Sequence, residues 1–444
     1  MSKNKFSGYL LGGVILVCAF LVGMIYLDAI QGLGLATVIN NDIGSLVDAQ
    51  GVSDRAIPGQ YIVVLKEDAG TMVYAQSVAD TYKVSPSFTY TKAINGFAAS
   101  LTQTNLSKVK SDPRVAYIAQ DRTVKVSSHA RKTVNVSTVS KQTLPTGVDR
   151  INAENKTNKG KDVNIAILDT GIDFNHPDLK ANIAGGKNCS TGTTYNDGHG
   201  HGTHVAGTVA ALDNTIGVVG VAPETKLWAV RVLNNNGTGS WSSLICGIDF
   251  VTSKAPKNGG KITLANMSLG GSGTSDNNCG KTNNDPLHQA ICRSRDAGVT
   301  YVVSAGNEGV DVSRSVPAAY DDAVITVSAL ADSDGKSGGT GPKTSYAPDD
   351  TFPSFSNYGK TVDLAAPGVR INSTWKGGGL RALNGTSMST AHVTGVAALY
   401  VKNNPGSTWK QVRDALISLG EKLNDGHKDP SGKHPEPVVR ADTL

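Results

Sequence analysis

Apolar and polar positions change period several times along this 444-residue chain, and each change marks an element or a boundary. The first feature is an uncharged apolar run from Leu10 to Leu27, preceded by Lys3 and Lys5 and followed by Asp28. It is long for the core of a signal peptide and just long enough to span hydrocarbon. Two fates stand side by side for residues 1–36. The small-x-small stretch Gly34-Leu35-Ala36 allows cleavage before Thr37, while the length of the run and its lack of helix breakers favour a retained membrane anchor. A buried core helix fits less well, because the run lies at the extreme end with basic residues before it.

Between Gln60 and Val126 the pattern is that of a small α+β domain. Tyr61 to Leu65 and Gly96 to Leu101 predict strands, Thr71 to Tyr82 predicts a helix, and Val115 to Ile118 predicts a third strand after the Asp112-Pro113 break. Apolar periodicity then disappears. Residues 127–141 are rich in Ser, Thr, Val, Lys and Arg, the composition of a linker and of an exposed protease target.

A second domain takes up residues 142–444, and from Lys161 onward its strands alternate with helices. Val163 to Leu168, Leu227 to Leu233, Ile262 to Met267, Val299 to Ser304 and Val324 to Val327 predict strands. Ser242 to Thr252 and Leu287 to Asp296 predict helices, the second closed by Gly298 at a C-terminal capping position. This order implies the α/β class: a doubly wound, mostly parallel sheet with helices on both faces, whose reactive residues collect at the carboxyl ends of the strands.

Composition narrows the function. With 39% hydrophobic residues a sizeable core forms, so wholesale disorder is excluded. The net charge of +5, from 42 basic and 37 acidic residues without a basic block, argues against a nucleic-acid partner. Beyond Cys18 in the leading run there are four cysteines, an even number for an exported chain. Cys279 and Cys292 are close in sequence and flank an Asn- and Gly-rich loop, which pairs them and leaves Cys189 with Cys246; free thiols are the alternative. Zinc is disfavoured, since no CxxC spacing occurs.

Three motifs carry chemistry. The strand Val163 to Leu168 runs directly into Asp169-Thr170-Gly171, which places a carboxylate at a strand end, although an isolated Asp there could also cap a turn. Gly198-His199-Gly200-His201-Gly202-Thr203-His204 opens a helix of small residues. A metal reading lacks the Glu of a zinc protease motif, so His201 as general base competes with it. In Asn384-Gly385-Thr386-Ser387-Met388-Ser389-Thr390-Ala391-His392, Ser387 sits at a helix start, where backbone N–H groups favour developing negative charge; a plain helix cap is the other reading.

In that order, Asp, His, Ser, the motifs resemble the subtilisin-like serine proteases from about Gln142 to the carboxyl end. The resemblance implies Asp169 as the residue orienting the imidazole, His201 as general base and acid, and Ser387 as nucleophile. Ser304-Ala305-Gly306-Asn307-Glu308-Gly309 resembles the oxyanion segment, with Asn307 as donor. Ser268-Leu269-Gly270-Gly271 and Gly237 to Trp241 resemble the two segments that pair with an extended substrate. By the same likeness Trp241, Leu244 and Leu269 line the pocket for the fourth residue before the scissile bond, and Ala305-Gly306 wall the primary pocket. Both pockets look apolar, which implies broad cleavage after large uncharged side chains.

Leu212 to Val218 resembles the family's calcium loop, which implies a structural Ca2+ held by Gln142, Asp178, Leu212, Asn214, Ile216 and Val218. Asp332, Asp334, Asp349 and Asp350 offer a second site, with a solvated loop as the favoured reading. Residues 60–126 resemble an inhibitory pro-domain, released by cleavage between Val126 and Gln142, rather than a permanent accessory domain. The expected protein is therefore a monomeric zymogen acting on polypeptides outside the cell, either secreted or anchored to the outer face of the membrane. Its competitor is a membrane-tethered binding protein on an inactive protease scaffold. One departure stands out: Ala391 and Ser389 replace the family's usual Pro and Ala, which implies a slightly different seat for Ser387.

Overall fold

The computed structural model describes residues 56–67, 71–127 and 141–444. The apolar run and both of its proposed fates lie outside the described residues, as does linker segment 128–140. Among the described residues no helix is long and apolar enough to cross a membrane.

The first domain contains β1 (Ala56–Leu65), α1 (Thr71–Thr81), β2 (Pro86–Tyr90), β3 (Gly96–Ser100), α2 (Gln103–Lys110) and β4 (Val115–Val126). Its strands pair antiparallel in the order β4-β1-β3-β2. Two elements escape the sequence pattern. The helix α2 buries only Val109 and so shows no apolar stripe, and β2 is a short strand with every second residue exposed. The third predicted strand is also far longer than four residues, because β4 runs on to Val126 against strands of the second domain. One face of the sheet packs Val63, Leu65 and Phe97 against Ala75, Val78 and Ala79 of α1. The other face adds Ile62, Val64, Ala98 and Val124 to the core of the second domain.

The second domain continues with α3 (Thr146–Arg150), β5 (Asn164–Asp169), β6 (Ile183–Asn188), α4 (His201–Ala210), β7 (Lys226–Arg231), β8 (Thr238–Ser240), α5 (Trp241–Ser253), β9 (Ile262–Met267) and β10 (Leu269–Ser272). Then come α6 (Pro286–Asp296), β11 (Thr300–Ser304), β12 (Ser315–Val316), β13 (Val324–Leu330), β14 (Leu364–Pro367), the hairpin β15 (Ile371–Trp375) with β16 (Gly379–Leu383), α7 (Thr386–Asn403) and α8 (Trp409–Leu419). Seven strands form a parallel sheet in the order β14-β13-β11-β9-β5-β7-β6. Strand order reverses at β5, and at such a switch point the carboxyl ends of neighbouring strands open a crevice. Asp169 ends β5 and Ser268 follows β9, so both stand at that crevice.

Helices cover both faces. On one, Val205, Ala206 and Val209 of α4 and Val393, Val396 and Ala397 of α7 pack with Ile165 and Ile167 of β5. On the other, Leu244 and Ile248 of α5 and Leu287 and Ile291 of α6 pack with Ala166 and Leu168. Alternate residues of one strand thus feed two cores, the signature of a sheet buried on both sides. Both expected disulfides are formed: Cys189–Cys246 ties the start of the loop after β6 to α5, and Cys279–Cys292 closes the loop before α6 onto that helix.

Arg150, at the end of α3, has a fully buried side chain. Its Nε donates to Asp350 Oδ1 at 2.7 Å, and its two terminal nitrogens grip Glu421 at 2.7 and 3.1 Å. Removing the guanidinium takes from Asp350 its cationic partner among the described residues and leaves Glu421 to Arg440 and His427, a loss of about 3–5 kcal/mol. Arg150→Met is expected to lower the free energy of unfolding, read from denaturant titration, by about 3–5 kcal/mol, and an unchanged value would show that the cluster contributes nothing.

Candidate active site

Asp169, His201, Asn307 and Ser387 come from β5, α4, the loop after β11 and α7: Asp169 holds His201, Asn307 holds Thr386, and Ser387 Oγ donates to the carbonyls of Ser127 and Ser268. Asp169 and His201 are both fully buried. His201 Nδ1 lies 2.8 and 2.9 Å from the two Asp169 oxygens. A carboxylate can only accept, so Nδ1 carries the hydrogen and Nε2 is the basic atom of the neutral ring. His201 Nε2 is buried without a hydrogen-bond partner among the described residues.

Glycine makes this approach possible. A Cβ at Gly202 would sit 2.1 Å from Gly171 O and 3.1 Å from Asp169 Cβ, so any side chain there would push α4 off the end of β5. The preceding turn is organised by a residue the sequence reading missed, Asp197, which is 5% exposed. Its Oδ1 accepts from Thr170 Oγ1, His199 N and Gly200 N, and its Oδ2 accepts from Thr203 N and Thr203 Oγ1. The signal for it was faint: an Asp four residues before His201 in a loop of Asn and Gly.

Ser387 opens α7 behind Gly385, whose φ of +141° is closed to most side chains. Thr386 N and Thr386 Oγ1 donate to Asn307 Oδ1 at 2.9 and 3.2 Å, which fixes which end of the amide is which. Asn307 Nδ2 is left buried and unpartnered among the described residues. A buried donor and a buried base without partners are costly unless a third group uses them. At Ala391 the helix continues without a break, and the Ser389 hydroxyl is buried without a partner among the described residues.

What lies against Ser387 is the chain's own first domain. Strand β4 pairs with β8 through Thr123, Val124 and Lys125, and with β10 through Lys125 and Val126. Val126 N donates to Gly237 O and Ser127 N to Ser268 O. The Ser127 carbonyl then accepts from Ser387 N at 3.3 Å and from Ser387 Oγ at 2.5 Å. Val124, three residues earlier, packs in one cluster with Trp241, Leu244 and Leu269. Ser127 lies at a cleft of about 90 Å³ walled by Gly270, Ser304, Ala305, Gly306 and Ala318. Its rim holds a second residue the sequence reading passed over, Glu308, which pairs with Lys125 at 3.5 Å, although it lies inside the Ser304 to Gly309 motif.

The first domain is clamped from its other side by α5. Asp249 Oδ1 accepts from the N–H groups of Thr91, Lys92 and Ala93. In return Asp121 of β4 accepts from Ser242 N at 3.0 Å and from Ser242 Oγ at the amino end of α5, where the helix dipole favours an anion.

The residues expected around a calcium ion also lie together. Gln142 Nε2 is 2.8 Å from Leu212 O and 3.4 Å from Val218 O. Asn214 Nδ2 and Val218 N reach the two oxygens of Asp178 at 2.8 and 3.0 Å, and Ile216 N donates to Asn214 Oδ1. Burial pushes the Asp178 carboxyl up to about 6. Two amides thus occupy a ring of carbonyl and carboxylate acceptors, and turned about they would add oxygens to a set suited to a hard cation.

Comparisons with known proteins agree with this geometry. Residues 160–431 match the Subtilase family, and residues 60–127 match peptidase inhibitor I9. Subtilisin NAT of Bacillus subtilis subsp. natto is 35% identical over 393 residues, 86% of this chain and 90% of its own. A thermostable alkaline protease of Halalkalibacterium halodurans is 37% identical over 361 residues, 80% of this chain and 85% of its own. The crystal structure of a cold adapted subtilisin-like serine proteinase superposes with a TM-score of 0.55 at 30% identity, covering 68% of this chain and 99% of that one. The chain belongs to the subtilase family: it is a subtilisin-like serine endopeptidase carrying an inhibitor I9 pro-domain ahead of its protease domain.

Proposed function

We propose that the protein is an exported endopeptidase whose first substrate is its own Ser127–Ser128 bond. The observation that carries this reading is the Ser127 carbonyl, hydrogen-bonded to Ser387 N and Oγ at the end of a strand paired on both sides of the groove. Asp169 holds the His201 ring with Nε2 facing outward as base. Nε2 takes the Ser387 proton as Oγ attacks the carbonyl carbon, and the oxygen gains negative charge between Ser387 N and Asn307 Nδ2. The proton then passes from His201 to the departing nitrogen, the peptide bond breaks, and water releases Ser127 from Ser387 by the same steps in reverse.

The pro-domain inhibits because its released end remains a well-paired strand that also fills the pocket for the fourth residue. Cut after Ser127, the chain separates residues 60–127 from a protease domain that keeps Gln142. Other polypeptides bind through the same backbone pairing, which reads little sequence. The glycine and alanine walls at Gly270, Ala305 and Gly306 accept large uncharged side chains, while the Glu308 carboxylate is engaged by Asn307 N, Asn357 and Lys125. Two disulfides suit an oxidising compartment. The enzyme thus works as a monomer outside the cell, secreted or held at the membrane face by residues 1–36.

Calcium belongs to this proposal as a structural ion. Gln142, Asp178, Asn214 and the carbonyls of Leu212, Ile216 and Val218 would hold it. Bound there, it would neutralise a buried carboxylate and pin the segment that starts the mature domain to the loop after α4.

The wild-type precursor should yield a mature chain beginning at Ser128 by amino-terminal sequencing, while Ser387→Ala stays full length by intact mass. Self-processing by Ser387→Ala, or a first cut elsewhere, would sink the assignment. Asn307→Ala should lower kcat by about 10²–10³ with little change in KM, a magnitude carried over from a subtilisin and not obtained from this chain. An unaltered kcat would remove Asn307 from the oxyanion site. Excess chelator should lower the melting temperature of the parent chain, since an ion bound only to the folded state stabilises it by mass action. Asp178→Asn should melt below the parent in the presence of calcium and lose less on chelation than the parent does. A parent melt indifferent to chelation would count against calcium.

A further inference from the structure

The glycine-rich stretch between β13 and β14 takes no part in the chemistry above, and it is not the solvated loop its composition suggests. Asp332, Asp349 and Asp350 are 2%, 5% and 1% exposed. The glycines supply the reason. Gly338, at φ +126°, and Gly339, at φ +67°, turn consecutive N–H groups onto Asp350 Oδ2 at 2.8 and 2.9 Å. Gly335 N donates to Asp332 Oδ1, Gly341 N donates to Asp349 Oδ2, and Ser333 N and Oγ donate to Asp349 Oδ1. The loop therefore folds inward around its carboxylates.

Backbone donors do not balance that much charge. Arg150 spends its guanidinium on Asp350 and Glu421. One carboxylate oxygen from each of Asp332, Asp334 and Asp349 lies within 4.8 Å of the other two. Oxygens on a single Ca2+, at 2.3–2.6 Å from it, are at most about 5 Å apart. Asp332 Oδ2 is buried and has no hydrogen-bond partner among the described residues, while its Oδ1 is taken by Gly335 N.

We propose that Asp332, Asp334 and Asp349 bind a second calcium ion, in a site separate from the Gln142 to Val218 loop. An all-oxygen donor set on irregular, glycine-rich backbone suits the variable coordination of Ca2+ better than the strict octahedron of Mg2+. The ion would also brace the loop against the carboxyl-terminal segment. Gly338 N already donates to Gly426 O, Ser337 Oγ to Glu421, and Lys428 N to Asp350 O.

The test is calorimetric titration of the full-length Ser387→Ala chain with calcium chloride after chelator removal, compared with the same chain carrying Asp178→Asn or Asp334→Asn. Asp334 is partly exposed and accepts from Lys336 N, so its amide variant keeps the fold. Two bound ions are expected in the parent and one in each variant, with magnesium chloride binding the Asp178→Asn chain more weakly than calcium chloride does. A single parent ion, lost with Asp178→Asn, would overturn this site and leave the first standing. Unchanged stoichiometry in Asp334→Asn would also overturn it, and magnesium binding as tight as calcium would overturn the calcium assignment.

Discussion

The structure turns on a strand that belongs to two domains at once. As part of the pro-domain, β4 is a member of its own antiparallel sheet; beyond Arg122 it becomes the middle strand between β8 and β10 of the protease. Main-chain hydrogen bonds of this kind are indifferent to side chains. One geometric device therefore accounts for the inhibition, self-processing and broad substrate use proposed above, and it sets the depth to which Ser127 reaches Ser387. The rest of the groove only has to keep that register.

The register is kept by buried polar groups more than by shape. Asp121 and Asp249 exchange charge-assisted hydrogen bonds across α5, and Asp197 ties the turn before His201 with five accepted bonds. His201 Nε2 and Asn307 Nδ2 are among the buried side-chain atoms left without a partner among the described residues. Protein interiors seldom leave such atoms unmet. In the proposed mechanism these two serve the carbonyl that gains charge, so the cost of desolvating them is offset only when that charge develops.

Much of this was legible in the chain. Asp169, His201, Asn307 and Ser387 each sit inside a short motif whose local geometry, a strand end or a helix start, already states the chemistry. The parallel sheet was legible because β5, β9 and β11 are apolar on both faces and need no partner to be recognised. The pro-domain was only half legible: α2, with a single buried residue, and β2, half exposed, lack the periodicity that marks an element. Glu308 and Asp197 were in view but ordinary, since a lone acidic residue in a loop gains meaning only from what it faces.

The aspartates of the 331–350 loop mark the boundary between the two kinds of knowledge. By composition they belong on a solvated surface; in the fold they are buried, because glycines at positive φ aim N–H groups inward and Arg150 waits beneath them. The sequence by itself determined the class of fold and the presence of a pro-domain, and it singled out four candidate residues for the chemistry, because each depends on patterns within a few consecutive residues. Only the tertiary structure decided that the Ser127 carbonyl is the one presented to Ser387, and that Asp332 and Asp334 come within 4.8 Å of Asp349, which is 15 residues beyond Asp334 in the chain. Those facts depend on distances between segments that meet only once the chain has paid its conformational entropy and closed its loops.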